Sequence, residues 1–152
     1  MINSDINLIS YIKTYPKCTV VVPTTIMIDR HNRAIMRSNL EKELIKLDPD
    51  LTKNYGQFIK KSNIPYNIYC TKLNYSELII VCFPISYDNR DSSQLSLIES
   101  SCNKLIKLIN KLSSDTEMIY IPKSGYTGLD FKSQVLPIFD RYFKDYNNII
   151  IC

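Results

Sequence analysis

The segment IPKSGYTGLDF (121–131) holds two of the chain's three glycines, Gly125 and Gly128, between an apolar run and a helical pattern. Without a Cβ, such a loop reaches positive φ and lets backbone N–H groups approach a ligand closely. Where it leaves a buried strand and enters a helix, those donors and the helix N-terminus suit a phosphate. A plain tight turn needs the same glycines, and composition alone does not separate the two readings. Asp130 stands where it would cap the following helix. The single histidine, His31, lies with Asp29 in DRHN (29–32), a turn-forming string that reads as a surface turn ahead of a general base. There is no Ser/His/Asp spacing, nucleophile elbow or carboxylate pair, so no catalytic residue is assigned. The five cysteines (Cys18, Cys70, Cys82, Cys102, Cys152) are odd in number, far apart and mostly inside apolar runs, which reads as buried reduced thiols. With no CxxC and one histidine, neither a metal nor a cofactor is expected.

The elements that must position these residues come from periodicity. A chain of 152 residues is expected to form one domain, 1–152. CTVVVP (18–23) is a continuous β-branched run, the mark of a strand buried on both faces. YNIYC (66–70), ELIIVCFP (77–84), EMIYIP (117–122) and NIIIC (148–152) also read as strands, with a turn near Asn74-Tyr75. Helices are expected over 6–13 with Asp5 as cap, over 33–47 (Ile35, Leu40, Leu44 and Leu47 at helical spacing), and over 50–61. The clearest is 93–112, where Leu95, Ile98, Cys102, Leu105 and Ile109 step by three or four. Another is expected over 131–144, bent by Pro137 or starting there. Strands alternating with helices predict an α/β fold, a three-layer α/β/α sandwich around a mostly parallel central sheet. Ligands of such sheets bind beyond the carboxyl ends of the strands.

Composition narrows the partners. The formal net charge of +4 is modest and dispersed, and Lys60-Lys61 reads as a solvated helix end, so no specific nucleic acid is expected. Every apolar run is broken well short of the roughly 20 residues of a membrane span. The N-terminus lacks a basic n-region and a cleavage site, and a cytoplasmic location is expected. Heavy use of Ile, Asn, Lys and Tyr reflects A/T-rich codons, as in the genomes of phages, large viruses or firmicutes.

Several landmarks, in order along nearly the whole chain, carry a family resemblance. SDI (4–6) resembles a Gly-Asp-Ile. VVVPTTIMIDRHNRAIM (20–36) resembles a strand followed by Pro-Thr-Asn-Gly, a turn, Asn-Gly and Ala-Val-Met-Gly. FPI (83–85) and SQLSLIESSCNKL (93–105) resemble Phe-Pro, a loop and Ser-Asp-Leu-x-Leu-Ile-x-x-Ser. IPKSGYTGLDF resembles Leu-Pro-Arg-Pro-Gly-Cys-Gly-x-Gly-Gly-Leu-Asp-Trp. These are the patterns of the macro domains, most of all the compact type of phages and large viruses, whose host cytoplasm would then be the location. The resemblance implies binding of ADP-ribose or a related nucleotide. It also leaves room for hydrolysis of ADP-ribose 1″-phosphate or of ADP-ribosylated substrates, or for a degenerate macro fold with a protein-interaction role.

Carried over by position, Asp5 would accept from the adenine amino group, with Ile6 beside it. Thr24 and Thr25 stand where the family has an Asn facing the distal ribose. Arg37, Ser38 and Asn39 occupy the first phosphate loop. Ser124, Gly125, Tyr126, Thr127 and Gly128 occupy the second, with Tyr126 against the distal ribose. The chain departs from the pattern in the first loop, which has lost its glycines, and in the second, which is shorter. Arg37 either pairs with phosphate or fills the pocket.

Overall fold

The computed structural model describes all of residues 1–152 except 15, 63–65, 89 and 113–116. Residue 89 belongs to the loop expected after ELIIVCFP, so its part in that loop lies outside the described residues.

The elements run β1 (Ile2–Asn3), α1 (Leu8–Ile12), β2 (Thr19–Thr25), α2 (Asn39–Leu47), α3 (Leu51–Lys61), β3 (Tyr69–Lys72), β4 (Ile79–Ser86), α4 (Leu95–Leu112), β5 (Ile119–Ile121), a π-helical turn (Phe131–Val135), α5 (Leu136–Phe143) and β6 (Ile149–Ile151). The six strands form one sheet in the order β1-β6-β5-β2-β4-β3. Every neighbouring pair is parallel except β3 with β4.

The period of two along each strand makes the three layers. Val20 and Val22, Ile80 and Cys82, Tyr120 and Ile150 point to one face, where they meet Leu8 and Ile12 of α1, Leu44 of α2 and Leu51 and Tyr55 of α3. Val21, Val81 and Phe83, Ile119 and Ile121, Ile149 and Ile151 point to the other, against Ile98 and Leu105 of α4 and Phe139 and Phe143 of α5. A strand covered on both faces has no polar side, which is why these runs lack alternation in the sequence. No helix among the described residues is long and apolar enough to cross a membrane.

Several boundaries differ from expectation. The first helix is capped by Asn7, whose side chain accepts from Ser10 N at 3.1 Å, and not by Asp5. α2 starts at Asn39 rather than 33, because Ser38 and Glu41 close a capping box. Glu41 N donates to Ser38 Oγ (3.1 Å) and Ser38 N donates to Glu41 Oε1 (3.0 Å).

The residues ahead of α2 fold back as a hairpin. Ile28 bridges to Ala34, Asn32 takes φ 58°, and Asp29 Oδ1 accepts from His31 N (2.7 Å) and Arg33 N (3.0 Å). DRHN is thus a turn, and the backbone N–H of Arg33, then that of His31, hold the Asp29 carboxyl below its ordinary range.

α5 begins only at Leu136, with Pro137 in its first turn, where the missing N–H is not needed. Asp130 caps the π-turn before it, accepting from Ser133 N at 2.7 Å. β1 is too short to leave a periodic signal. All five cysteines are free thiols. Cys18, Cys82 and Cys102 are buried, but Cys70 is exposed on the edge strand β3 and Cys152 is half-buried.

Candidate functional site

β2 sits between β5 and β4, and the chain leaves it first toward β4 and later toward β5. Beyond the carboxyl end of such a strand a crevice opens. It has two lobes that share Pro23 of β2, Ser38 ahead of α2 and Gly125. Each is of the size that holds part of a small ligand, about 390 Å³ and about 410 Å³.

The first lobe is largely apolar, walled by Ile6, Leu8, Leu40, Pro122 and Cys152. Burial pushes the Cys152 thiol up to about 11, so it is a packing group rather than a nucleophile. The second lobe is the more polar of the two, walled by Thr24, Thr25, Arg37, Glu41, Asp88 and Ser93 along with Ile35 and Ile85. Ion pairing and hydrogen bonding with Arg90, whose Nη2 lies 2.8 Å from Asp88 Oδ2, hold the Asp88 carboxyl at about 2. Burial pushes the Glu41 carboxyl up, against the pull of its hydrogen bonds with Ser38.

The waist between the lobes is where backbone chemistry concentrates. Gly125 has φ 100°, and a Cβ on it would rest 3.4 Å from Pro23 Cβ, narrowing the passage. The capping box of α2 uses the N–H of Glu41 and the side chain of Ser38, so the first-turn N–H groups of Asn39 and Leu40 are those left for a ligand. Gly128 serves a different need. At φ 78° a Cβ there would come 2.3 Å from Ser92 Oγ, so this glycine seats the loop against the segment before α4. Ser93 N donating to Thr127 O (2.7 Å) ties the same two segments together.

Most expected site residues meet in this crevice. Ile6, Asn39 and Ser124 line the apolar lobe, Thr24, Thr25, Arg37 and Thr127 the polar one, and Ser38 and Gly125 both. The Thr24 hydroxyl pairs with Tyr55 Oη at 3.0 Å, and Thr25 Oγ1 accepts from Met27 N at 3.4 Å.

Three expected residues stand elsewhere. Asp5 lines neither lobe; its side chain is fully exposed, 3.7 Å from Lys123 Nζ. Tyr126 turns into the core, its ring centroid 5.6 Å from that of Phe131 and 5.9 Å from that of Phe139, because the loop buries its large ring rather than presenting it. Gly128 lines neither lobe. His31 is exposed in the hairpin, its Nε2 accepting from Arg30 Nε at 3.1 Å.

Glu41, Asp88, Asp91 and Ser93 were not foreseen in this site. Only Glu41 left a sequence signal, as the last residue of the Ser-x-x-Glu string 38–41.

A scan against protein-family models and a sequence search of curated proteins each returned no match. Solved structures do match. The macrodomain of Mycobacterium tuberculosis DarG superposes with TM-score 0.73 at 15% identity, over 99% of this chain and 95% of that one. The macrodomain of Thermus aquaticus DarG gives 0.75 at 15% identity, over 99% and 94%. Thermosipho africanus DarTG in complex with ADP-ribose gives 0.70 at 18% identity, over 88% of this chain and 37% of that one. The fold is macrodomain-like, an α/β sandwich around a six-stranded, mostly parallel sheet.

Proposed function

We propose that the crevice binds ADP-ribose or a closely related ADP-ribose-derived nucleotide. The observation that carries this reading is the division of the crevice into an apolar and a polar lobe meeting at Gly125 and the N-terminus of α2. A nucleoside diphosphate sugar has the same division. Its adenine is flat and largely apolar on its faces and suits the lobe of Ile6, Leu8 and Leu40. Its diphosphate suits the backbone donors and positive helix end at the waist. Its terminal ribose, rich in hydroxyls, suits the lobe of Thr24, Thr25 and Ser93. A solved relative in fold, Thermosipho africanus DarTG, carries ADP-ribose, which supports the same ligand class here.

The resemblance left a hydrolase open as well. Glu41, Asp88 and Asp91 are the acids of the polar lobe, but Asp88 is paired with Arg90, one oxygen of Glu41 is engaged in its capping box and Asp91 is exposed, so binding is the reading advanced. Isothermal titration with ADP-ribose, ADP and ribose 5-phosphate tests it. ADP-ribose is expected to bind more tightly than either fragment, since each fragment fills only part of the crevice. No heat and no protection against thermal unfolding by saturating ADP-ribose would retire the reading.

A further inference from the structure

Two side-chain oxygens of the polar lobe, Glu41 Oε2 and Ser93 Oγ, are buried with no hydrogen-bond partner among the described residues. Their residues are 6% and 5% exposed. The third such oxygen, Tyr126 Oη, lies in the core away from both lobes. A buried polar atom without a partner is costly, and native proteins hold few of them. Both residues line the same cavity, so a ligand with matching groups, met by a turn of either side chain toward the lobe, would relieve them.

The character of the lobe says which groups match. Glu41 Oε1 is already committed to Ser38 N, so the free capacity of this carboxyl is at Oε2. A carboxylate oxygen accepts hydrogen bonds, and a serine hydroxyl can both accept and donate. Asp88 and Asp91 line the same lobe. The facing cation is Arg37, which lies near enough to Asp88 to help hold its carboxyl low, and Arg90 pairs with Asp88 from beside the lobe. Three carboxyl groups against these two guanidinium groups leave the lobe rich in acceptors and formally negative. A terminal phosphate is the opposite of its complement, being anionic and short of donors.

Resting on the nucleotide reading above, we infer that Glu41 and Ser93 make the polar lobe selective for ADP-ribosyl ligands whose terminal ribose presents hydrogen-bond donors, a free hydroxyl or an N–H, and make it reject a terminal phosphate. Glu41 Oε2 accepts from one donor of the ribose, and Ser93 Oγ completes its own bonding with a neighbouring hydroxyl. A phosphate in the same place meets the Glu41 carboxylate with no proton between them.

The test is isothermal titration at about pH 8 with ADP-ribose, ADP-ribose 1″-phosphate and ADP, on the natural protein, Glu41→Gln and Ser93→Ala. Glutamine keeps the capping box, so Glu41→Gln is expected to fold, which circular dichroism checks. The natural protein is expected to prefer ADP-ribose over its 1″-phosphate by about tenfold or more, the effect of one uncompensated charge contact in a partly desolvated site. Glu41→Gln is expected to shrink that preference to within about threefold, mainly by improving binding of the 1″-phosphate. Ser93→Ala is expected to weaken ADP-ribose several-fold and leave ADP unaffected. Equal or tighter binding of the 1″-phosphate by the natural protein overturns the inference, as does a Glu41→Gln variant that discriminates as before; in either case the nucleotide reading survives. If the natural protein binds neither ADP-ribose nor ADP, it is the nucleotide reading that fails, and the selectivity falls with it.

Discussion

Gly56, the glycine outside the loop at 121–131, lies buried within α3, and adding one methyl there should unsettle the wall of the polar lobe. A Cβ built on it would lie 2.1 Å from Asn32 O, 2.7 Å from Ala34 N and 2.8 Å from Arg33 Cα. All three are backbone atoms of the hairpin that leads into α2, so no flexible side chain can swing aside. The hairpin or the helix must move. Ala34 N donates to Thr52 O at 2.8 Å across this contact, and separation would break that bond.

The magnitude follows from three effects. Overpacking against fixed atoms costs about 1–3 kcal/mol, with this case at the upper end. The lost hydrogen bond adds about 1 kcal/mol. Alanine's better helix propensity returns about 1 kcal/mol. Gly56→Ala is therefore expected to destabilise by about 2–3 kcal/mol, which for a domain of this size lowers Tm by about 5–10 °C. Thermal and urea unfolding followed by circular dichroism measure it, with an unchanged m-value marking a pure stability effect. ADP-ribose affinity should fall as well, because the same hairpin carries Ile35 of the polar lobe. A Gly56→Ala protein as stable as the natural one would refute the reasoning, since close packing of the helix on the hairpin is what it assumes.

Further outcomes are expected at the crevice. Gly125→Ala should cost about 1–2 kcal/mol of stability through its positive φ, because Cβ itself finds room beside Pro23. Gly125→Val should in addition abolish ADP-ribose binding measured by titration, by filling the waist; a folded Val variant with natural affinity would show that the diphosphate lies elsewhere. Asp5→Ala should leave the dissociation constant within about twofold, because its carboxylate is fully exposed and outside both lobes; a tenfold loss would restore an adenine contact.

Glu41 sets a pH dependence. Its folded pKa is raised above the ordinary value of 4.5, so folding favours the protonated form. The stability this confers is present below that value and is lost as pH rises through the raised one. Glu41→Gln should thus gain in Tm relative to the natural protein between pH 5 and pH 8. Melting curves at both values check this, and a difference that shrinks with pH would contradict it.

Much of the fold was legible because it rests on local pattern. The buried runs 117–122 and 148–152 each contain an observed strand, and 18–23 and 77–84 each overlap one that runs two residues further, since a strand covered on both faces is mostly apolar. The helices 50–61 and 93–112 hold to within a residue or two, because their apolar stripes face the sheet over their whole length. The expected helix 33–47 begins too early, because Ile35 stands five residues before Leu40, off the three-to-four step that Leu40, Leu44 and Leu47 keep, and the capping box at Ser38 and Glu41 sets the start. A side chain that closes a helix end leaves only a short string in the sequence.

At the site, residue types determined that 121–131 would make a glycine turn entering a capped helical segment. Only the tertiary structure decided that Gly125 faces the crevice while Gly128 faces Ser92, and that Tyr126 points inward. It likewise decided that Glu41, Ser93, Asp88 and Asp91 share one lobe with Thr24 and Arg37. These residues come from segments far apart in the chain, joined by parallel strand pairing. Local periodicity states which face of an element is apolar; which polar ends converge depends on strand order, and that is set by packing across the whole sheet.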